Sequence, residues 1–216
     1  METEHIILSQ RISSFVEGLN GQDCTLGELS DAFGEQGFGM LLLILAFPAA
    51  LPIPAPGYAT PFGILMIVLG SQMLRGYKTP QLPEKMRART LKYSLLDFSL
   101  KNGASLFRLV EFVVRPRLQH QVNSMYRMIG LIVIIMAAFM TLPIPLTNTA
   151  PSFVIFVMAA SLLEKDGLSL IGGIILTPIA MLIAGGAIYF AFTYGIEAVT
   201  TEFKPFVKGL LGISSH

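Results

Sequence analysis

Tryptophan is absent, cysteine occurs once, at Cys24, and histidine three times, at His5, His120 and His216. A single cysteine excludes an intrachain disulfide framework and a cysteine-rich metal site. The histidines lack the spacing of a ligand set, so neither a metal site nor a cofactor is expected. Charge is also scarce: 13% of the 216 residues are charged and 53% are hydrophobic, where a soluble domain carries about 25% charged residues. That balance places the chain in the membrane class. Without Trp, anchoring at a membrane interface falls to Tyr, Lys and Arg. A net charge of +1 excludes nucleic-acid binding by bulk charge. The opening residues, Met1-Glu2-Thr3-Glu4, are acidic and do not read as a secretory leader.

Three long stretches, residues 38–74, 128–163 and 167–196, contain no Asp, Glu, Lys, Arg or His. Acids and bases inside a membrane mark proton and ion relays, so their absence argues against a pump of that design. It argues equally against hydrolysis within the membrane by a carboxylate pair or a metal. Ser71, Ser152 and Ser161 have no histidine beside them in these stretches, which leaves a serine nucleophile without its base. The chain is therefore read as a non-enzyme.

The first two apolar stretches are interrupted by the same box, Leu51-Pro52-Ile53-Pro54 and Leu142-Pro143-Ile144-Pro145. Proline inside a helix removes a donor and clashes with the preceding turn. Each stretch therefore breaks at its middle. As one straight helix, residues 38–74 would run about 55 Å, against a hydrocarbon core of about 30 Å. The spacing instead predicts a hairpin with arms at about 38–50 and 60–74. The second arm opens on Thr60-Pro61, a capping residue followed by a proline at the first helical position. A shift of 91 residues superposes Gly39 on Gly130, Ala46 on Ala137, Phe62 on Phe153 and Gly76 on Gly167 as well as the boxes. The second stretch is accordingly read as a repeat of the first, its second arm opening at Thr149-Ala150-Pro151. Arms this short of the roughly 20 residues of a full span suit re-entrant hairpins or short tilted spans.

Charge is unevenly placed along the rest. Residues 1–37 hold seven acidic residues against Arg11, and residues 78–127 hold ten Lys and Arg against Glu84, Asp97 and Glu111. Helical spacing predicts a helix over about 5–19, and Thr25 with Glu28 predicts a capping box that opens a second helix. Both helices are read as packing on the protein, because acidic segments gain nothing from anionic headgroups. Residues 84–101 read as one amphipathic helix and 104–114 as another. The basic middle is either a solvated cytoplasmic face that obeys the positive-inside rule or a surface for anionic lipid headgroups, with Arg75, Arg115, Arg117 and Arg127 as candidates. Residues 168–196 form a single uncharged span whose small residues allow close helix contact, within the chain or in a homodimer. The tail, 197–216, reads as amphipathic.

Several of these runs together resemble the ExoD family: Leu26-Gly27-Glu28-Leu29, Gly34-Glu35-Gln36-Gly37-Phe38-Gly39, Leu51-Pro52-Ile53-Pro54-Ala55-Pro56-Gly57, Arg115-Pro116-Arg117-Leu118, Leu142-Pro143-Ile144-Pro145 and Leu163-Glu164-Lys165-Asp166-Gly167. The resemblance covers about residues 25–195. It implies a bacterial inner-membrane protein connected with exopolysaccharide production, and it carries over no catalytic residue. The second box departs from the pattern, because Leu146-Thr147-Asn148-Thr149 lacks glycine.

The expected fold is all-α: a multi-pass integral membrane protein with two repeated Pro-broken helical hairpins, amphipathic helices and one final transmembrane helix. Its parts are an acidic N-terminal unit (1–37), hairpin one (38–76), basic helices (77–127), hairpin two (128–167), a span (168–196) and a tail (197–216). Both ends of a hairpin lie on one side of the bilayer, so the N-terminus and the basic middle are expected in the cytoplasm and the C-terminus in the periplasm. The candidate ligand site is the pair of hairpin tips: Pro52, Pro54, Tyr58 and Thr60 with Pro143, Pro145, Thr147, Asn148 and Thr149. Helix starts facing one another there would suit an anionic group. The expected partners are membrane lipids, an anionic lipid-linked or saccharide ligand and the polysaccharide machinery. The plainer reading is that the tips satisfy one another and only hold the fold.

Overall fold

The computed structural model describes residues 8–51, 59–102, 119–142, 144 and 147–210. The expected helix over 104–114 lies outside these residues, as do Pro52, Pro54, Tyr58, Pro143, Pro145, Arg115 and Arg117. The described residues are almost entirely helical.

The N-terminal unit is α1 (Leu8–Gly18) and α2 (Leu26–Phe33). The capping box forms as its spacing requires. The Glu28 N–H donates to Thr25 Oγ1 at 3.2 Å, and the Thr25 N–H donates to Glu28 Oε2 at 2.8 Å. After a 3-10 turn at Gly34–Gln36, α3 (Gly37–Ala50) enters the centre of the molecule, and all 14 of its residues are buried. It ends at Leu51, whose extended backbone (φ −71°, ψ 138°) is the conformation imposed on a residue before proline. The second arm is α4 (Ala59–Leu74), closed by Gly76 at φ 86°, a left-handed turn open to glycine.

The basic middle differs from its reading as a continuous helix over 84–101. A one-turn helix, α5 (Glu84–Arg87), is followed by a two-residue strand and then by α6 (Tyr93–Asn102). Strand β1 (Cys24–Thr25) pairs antiparallel with β2 (Thr90–Leu91), and the Leu26 N–H donates to the Arg89 carbonyl at 3.0 Å. The break has a tertiary cause. The extended N-cap at Thr25 offers an edge, and pairing there buries Leu91 beside Cys24. The Arg87 guanidinium grips the Asp31 carboxylate with both nitrogens, at 3.2 and 2.6 Å, and the Tyr93 N–H donates to Asp23 Oδ1 at 2.8 Å. The acidic unit thus packs on the protein, against part of the basic middle. The Arg87 guanidinium holds the Asp31 carboxyl below the usual carboxylate range.

Beyond α7 (Gln119–Ser124), the second apolar stretch forms α8 (Tyr126–Met140) and α9 (Thr149–Leu163). The two largest helix interfaces are crosswise: α4 with α8, and α3 with α9. Both pairs are antiparallel. Gly39 lies against Leu163 and Ala159, and Phe47 stacks on Phe156 at 5.4 Å between ring centroids. Gly70 meets Gly130, and Gly63 meets Ala137 and Thr141. The first arm of each hairpin therefore packs on the second arm of the other. The two first arms run in the same direction, and both breaks fall at one end. At about 1.5 Å per residue, the arms of 14 to 16 residues measure about 21–24 Å, short of a 30 Å hydrocarbon core.

The last long helix, α10 (Gly167–Tyr194), has 28 residues and packs along α9. Among the described residues it is the helix long and apolar enough to cross a membrane. Ile175, Ile179 and Leu182 recur at helical spacing on its exposed side. The chain then turns at Gly195 through α11 (Ile196–Ala198), a π-helical turn at Val199–Phe203 and α12 (Lys204–Leu210). Val199, Phe203 and Val207 pack back on α10 around Ala187, and Ile144 joins that small cluster from the second break.

Candidate functional site

The described parts of the two breaks lie together. Thr60 sits in the first turn of α4 instead of capping it from outside. Its hydroxyl donates across to the Thr141 carbonyl at 3.3 Å, at the end of α8. Thr141 in turn donates its hydroxyl to the Ala138 carbonyl one turn back, at 2.7 Å. The link joins the start of one second arm to the end of the other first arm.

Thr147, Asn148 and Thr149 are adjacent in the chain but differ in role. Thr147 is completely buried. Its hydroxyl lies 2.6 Å from the Ile144 carbonyl and 3.2 Å from that of Leu142, so it closes the break from within. Asn148 occupies the N-cap position of α9 but makes no side-chain cap bond. Its carbonyl accepts both the N–H and the hydroxyl of Ser152, at 3.0 and 2.6 Å. Its side-chain oxygen is shielded from solvent and meets no donor among the described residues. Thr149 is half-buried in the first turn of α9, and its carbonyl also accepts from the Ser152 hydroxyl, at 3.1 Å. A buried amide oxygen without a donor carries a desolvation cost, which marks Asn148 as a polar group open to a partner among the described residues at this end.

Three further hydroxyls in the apolar helices are satisfied locally. Ser71 donates to Val68, Ser161 to Val157 and Thr177 to Gly173, each to a carbonyl one turn back. This back-bonding conceals a polar group in a dry interior. It leaves those hydroxyls no role at a ligand.

Of the arginines named from the sequence, the two that are described, Arg75 and Arg127, lie at the opposite end. Arg75 and Arg127 are exposed where α4 ends and α8 begins. A Cβ at Gly76 would stand 3.6 Å from the Arg127 guanidinium, and the Tyr126 hydroxyl donates to the Tyr77 carbonyl at 2.8 Å. About 24 Å of helix separates these arginines from the breaks. One ligand of ordinary size does not touch both groups.

A cleft of about 260 Å³ lies at the N-terminal unit, lined by Phe15, Leu19, Asp23, Cys24 and Glu28 among others. Its acids already accept backbone bonds from Tyr93 and Thr25. Cys24 is buried there, and burial with the Glu28 charge pushes its thiol up to about 11. An acid whose value is raised stays protonated across neutral pH. Its thiolate fraction falls about 100-fold below that of an ordinary thiol. Alkylation of native protein with iodoacetamide near neutral pH is therefore expected to be slower than in denaturant by about tenfold or more, since the more basic thiolate is the better nucleophile and offsets part of its scarcity. Equal rates in the two states would contradict the burial.

One residue of consequence has no role in the sequence reading. Asp166, in Glu164-Lys165-Asp166, has no exposed surface. It caps α10, accepting from the Leu168 N–H at 3.0 Å and from the Ser169 hydroxyl. The signal was present in Asp166-Gly167-Leu168-Ser169, an acidic N-cap ahead of an apolar run.

Comparison with known proteins bears on what this architecture serves. The family described as "Exopolysaccharide synthesis, ExoD" matches residues 8–186. Protein ExoD of Rhizobium meliloti is 32% identical over 171 residues, covering 77% of this chain and 71% of that protein. The uncharacterized protein slr1875 of Synechocystis sp. is 34% identical over 195 residues, covering 89% of this chain and 92% of its own. No solved structure matches the chain.

Proposed function

The chain belongs to the ExoD family, and on that premise we propose that it acts in exopolysaccharide synthesis or export as a multi-pass protein of the bacterial inner membrane. In this reading the hairpins are two copies of one repeat, set in the bilayer as re-entrant or short spans. Their tips bind or translocate an anionic lipid-linked or saccharide intermediate, without catalysis. The N-terminus and the basic middle face the cytoplasm, with Arg75 and Arg127 toward lipid headgroups, and the C-terminus lies in the periplasm.

The reading rests chiefly on one observation: both breaks fall at the same end, tied by the Thr60 to Thr141 bond. The second arms, α4 and α9, both begin there. Each brings its first turn and the positive end of a helix dipole to that end. The unmatched oxygen of Asn148 lies beside them. The crosswise packing supports the repeat, because Gly39 and Gly130 occupy corresponding places on the two first arms and each backs on the far part of a second arm.

The test is a triple variant, Thr60→Val, Asn148→Leu and Thr149→Val, introduced into the producing bacterium. The expected outcome is a loss of exopolysaccharide at unchanged protein level. Unchanged output would favour the second reading, in which the tips only hold the fold and the protein is an assembly or regulatory partner of the polysaccharide machinery. The local bonding of Thr147 is what favours that alternative.

A further inference from the structure

The last described helices carry an apolar surface that the described residues do not cover. In the tail, Val199, Phe203 and Val207 face inward, and the Phe203 ring lies over Gly186 and 4.9 Å from the Phe190 ring. Phe206 and Leu210 extend the same apolar side but are 64% and 76% exposed. Glu197, Thr201 and Lys204, at helical spacing on the other side, are exposed as well. This is an amphipathic helix whose apolar side is wider than the helix beneath it. The last turns of α10 add three exposed rings, Tyr189, Phe192 and Tyr194, of which Phe192 is the most exposed at 84%.

Depth identifies the occupant. Measured from the cap at Asp166, these rings stand about 35–42 Å along α10 at 1.5 Å per residue. That is past a hydrocarbon core of about 30 Å and within a bilayer of about 40–45 Å including headgroups. Aromatic side chains collect at this level, and a helix that is apolar on one side and charged on the other lies in its plane. The exposed apolar side of α10, through Ile175, Ile179 and Leu182, leads continuously into it.

We infer that the end of α10 and the helix Lys204–Leu210 form an interfacial anchor, seated between the headgroups and acyl chains of the leaflet opposite the Arg75 and Arg127 end. The inference rests on the reading of α10 as a membrane span. Because Ile144 packs in the same cluster as Val199 and Phe203, the anchor also fixes the depth of the second hairpin tip.

The absence of Trp makes the test clean. Single variants Phe192→Trp, Phe206→Trp and Ile179→Trp each introduce one indole at an exposed position. The full chain is reconstituted in phosphatidylcholine–phosphatidylglycerol vesicles carrying bromine either shallow or deep in the acyl chains. The expected result is that shallow bromines cause the larger emission loss for Phe192→Trp and Phe206→Trp, and deep bromines for Ile179→Trp. If Ile179→Trp is quenched deep while the other two remain unquenched, the anchor is overturned and the span stands. If all three are quenched most by deep bromines, the tail is immersed and the anchor is overturned. If none is quenched, the membrane reading falls and the anchor falls with it.

Discussion

Gly130→Leu is expected to prevent the accumulation of folded protein, and exopolysaccharide output with it. A Cβ at Gly130 would meet the Gly70 carbonyl oxygen and the Leu74 nitrogen at 2.7 Å, and Met73 Cβ at 2.9 Å. Two of these three atoms are backbone. The contact is reciprocal, since a Cβ at Gly70 would stand 2.8 Å from the Gly130 carbonyl. Neither helix can yield by rotating a side chain. Overpacking a core costs about 1–3 kcal/mol where neighbours relax. Here Gly130→Ala is expected near the top of that range, and leucine beyond it. Against a total stability of about 5–15 kcal/mol, that loss is severe. Thermal unfolding in detergent measures it, with Gly172→Ala as the control. Nothing lies within 4 Å of a Cβ at Gly172, and alanine there removes the helix cost of glycine, about 0.5–1 kcal/mol. A Gly130→Leu protein as stable as the parent would disprove the close seam between α4 and α8.

The second large effect is expected at Asp166. Asp166→Ala removes the acceptor of the Leu168 N–H and of the Ser169 hydroxyl. Losing an N-cap costs about 0.5–2 kcal/mol, and stranding a buried donor adds about 1–3 kcal/mol. Together these give a loss of about 1.5–5 kcal/mol, read as a fall in the unfolding midpoint. Asp166→Asn keeps an acceptor oxygen, and asparagine caps about as well as aspartate, so most of that loss should be recovered. An alanine variant that matches the asparagine variant would show that the cap is not what the carboxylate supplies.

The sequence was most legible where structure is local. The arms of the first hairpin begin and end within a residue of their reading, and the second arm of the other opens at Thr149 as read, because proline and glycine punctuate them. The box at Thr25 and Glu28 forms because both partners lie within one turn. Readings that depended on distant partners fared differently. Nothing in residues 84–101 announces that Thr90 and Leu91 will pair with Cys24 and Thr25, and the periodicity runs on through the interruption. The crosswise packing of arms is likewise invisible in a single pass, since it is carried by small residues such as Gly70 and Gly130 that have no pattern of their own. At the tips the chemistry was legible in kind but not in use. The hydroxyls of Thr60 and Thr147 look alike in the chain, yet one links two helices and the other closes its own turn. Asp166 has no role in the sequence reading, because its role depends on burial, which composition does not reveal.

The crosswise arrangement has a consequence for biogenesis. Helix α3 is buried along its whole length, but its main partner, α9, ends only at Leu163. At about 5–20 residues per second of synthesis, α3 waits several seconds or more for the surface that covers it. Sequence-distant pairing raises contact order and slows folding. A nascent chain that stops after the first hairpin has no compact half to fall into. The two hairpins are expected to mature as one cooperative unit, and the interval before α9 emerges is when α3 is most open to wrong contacts.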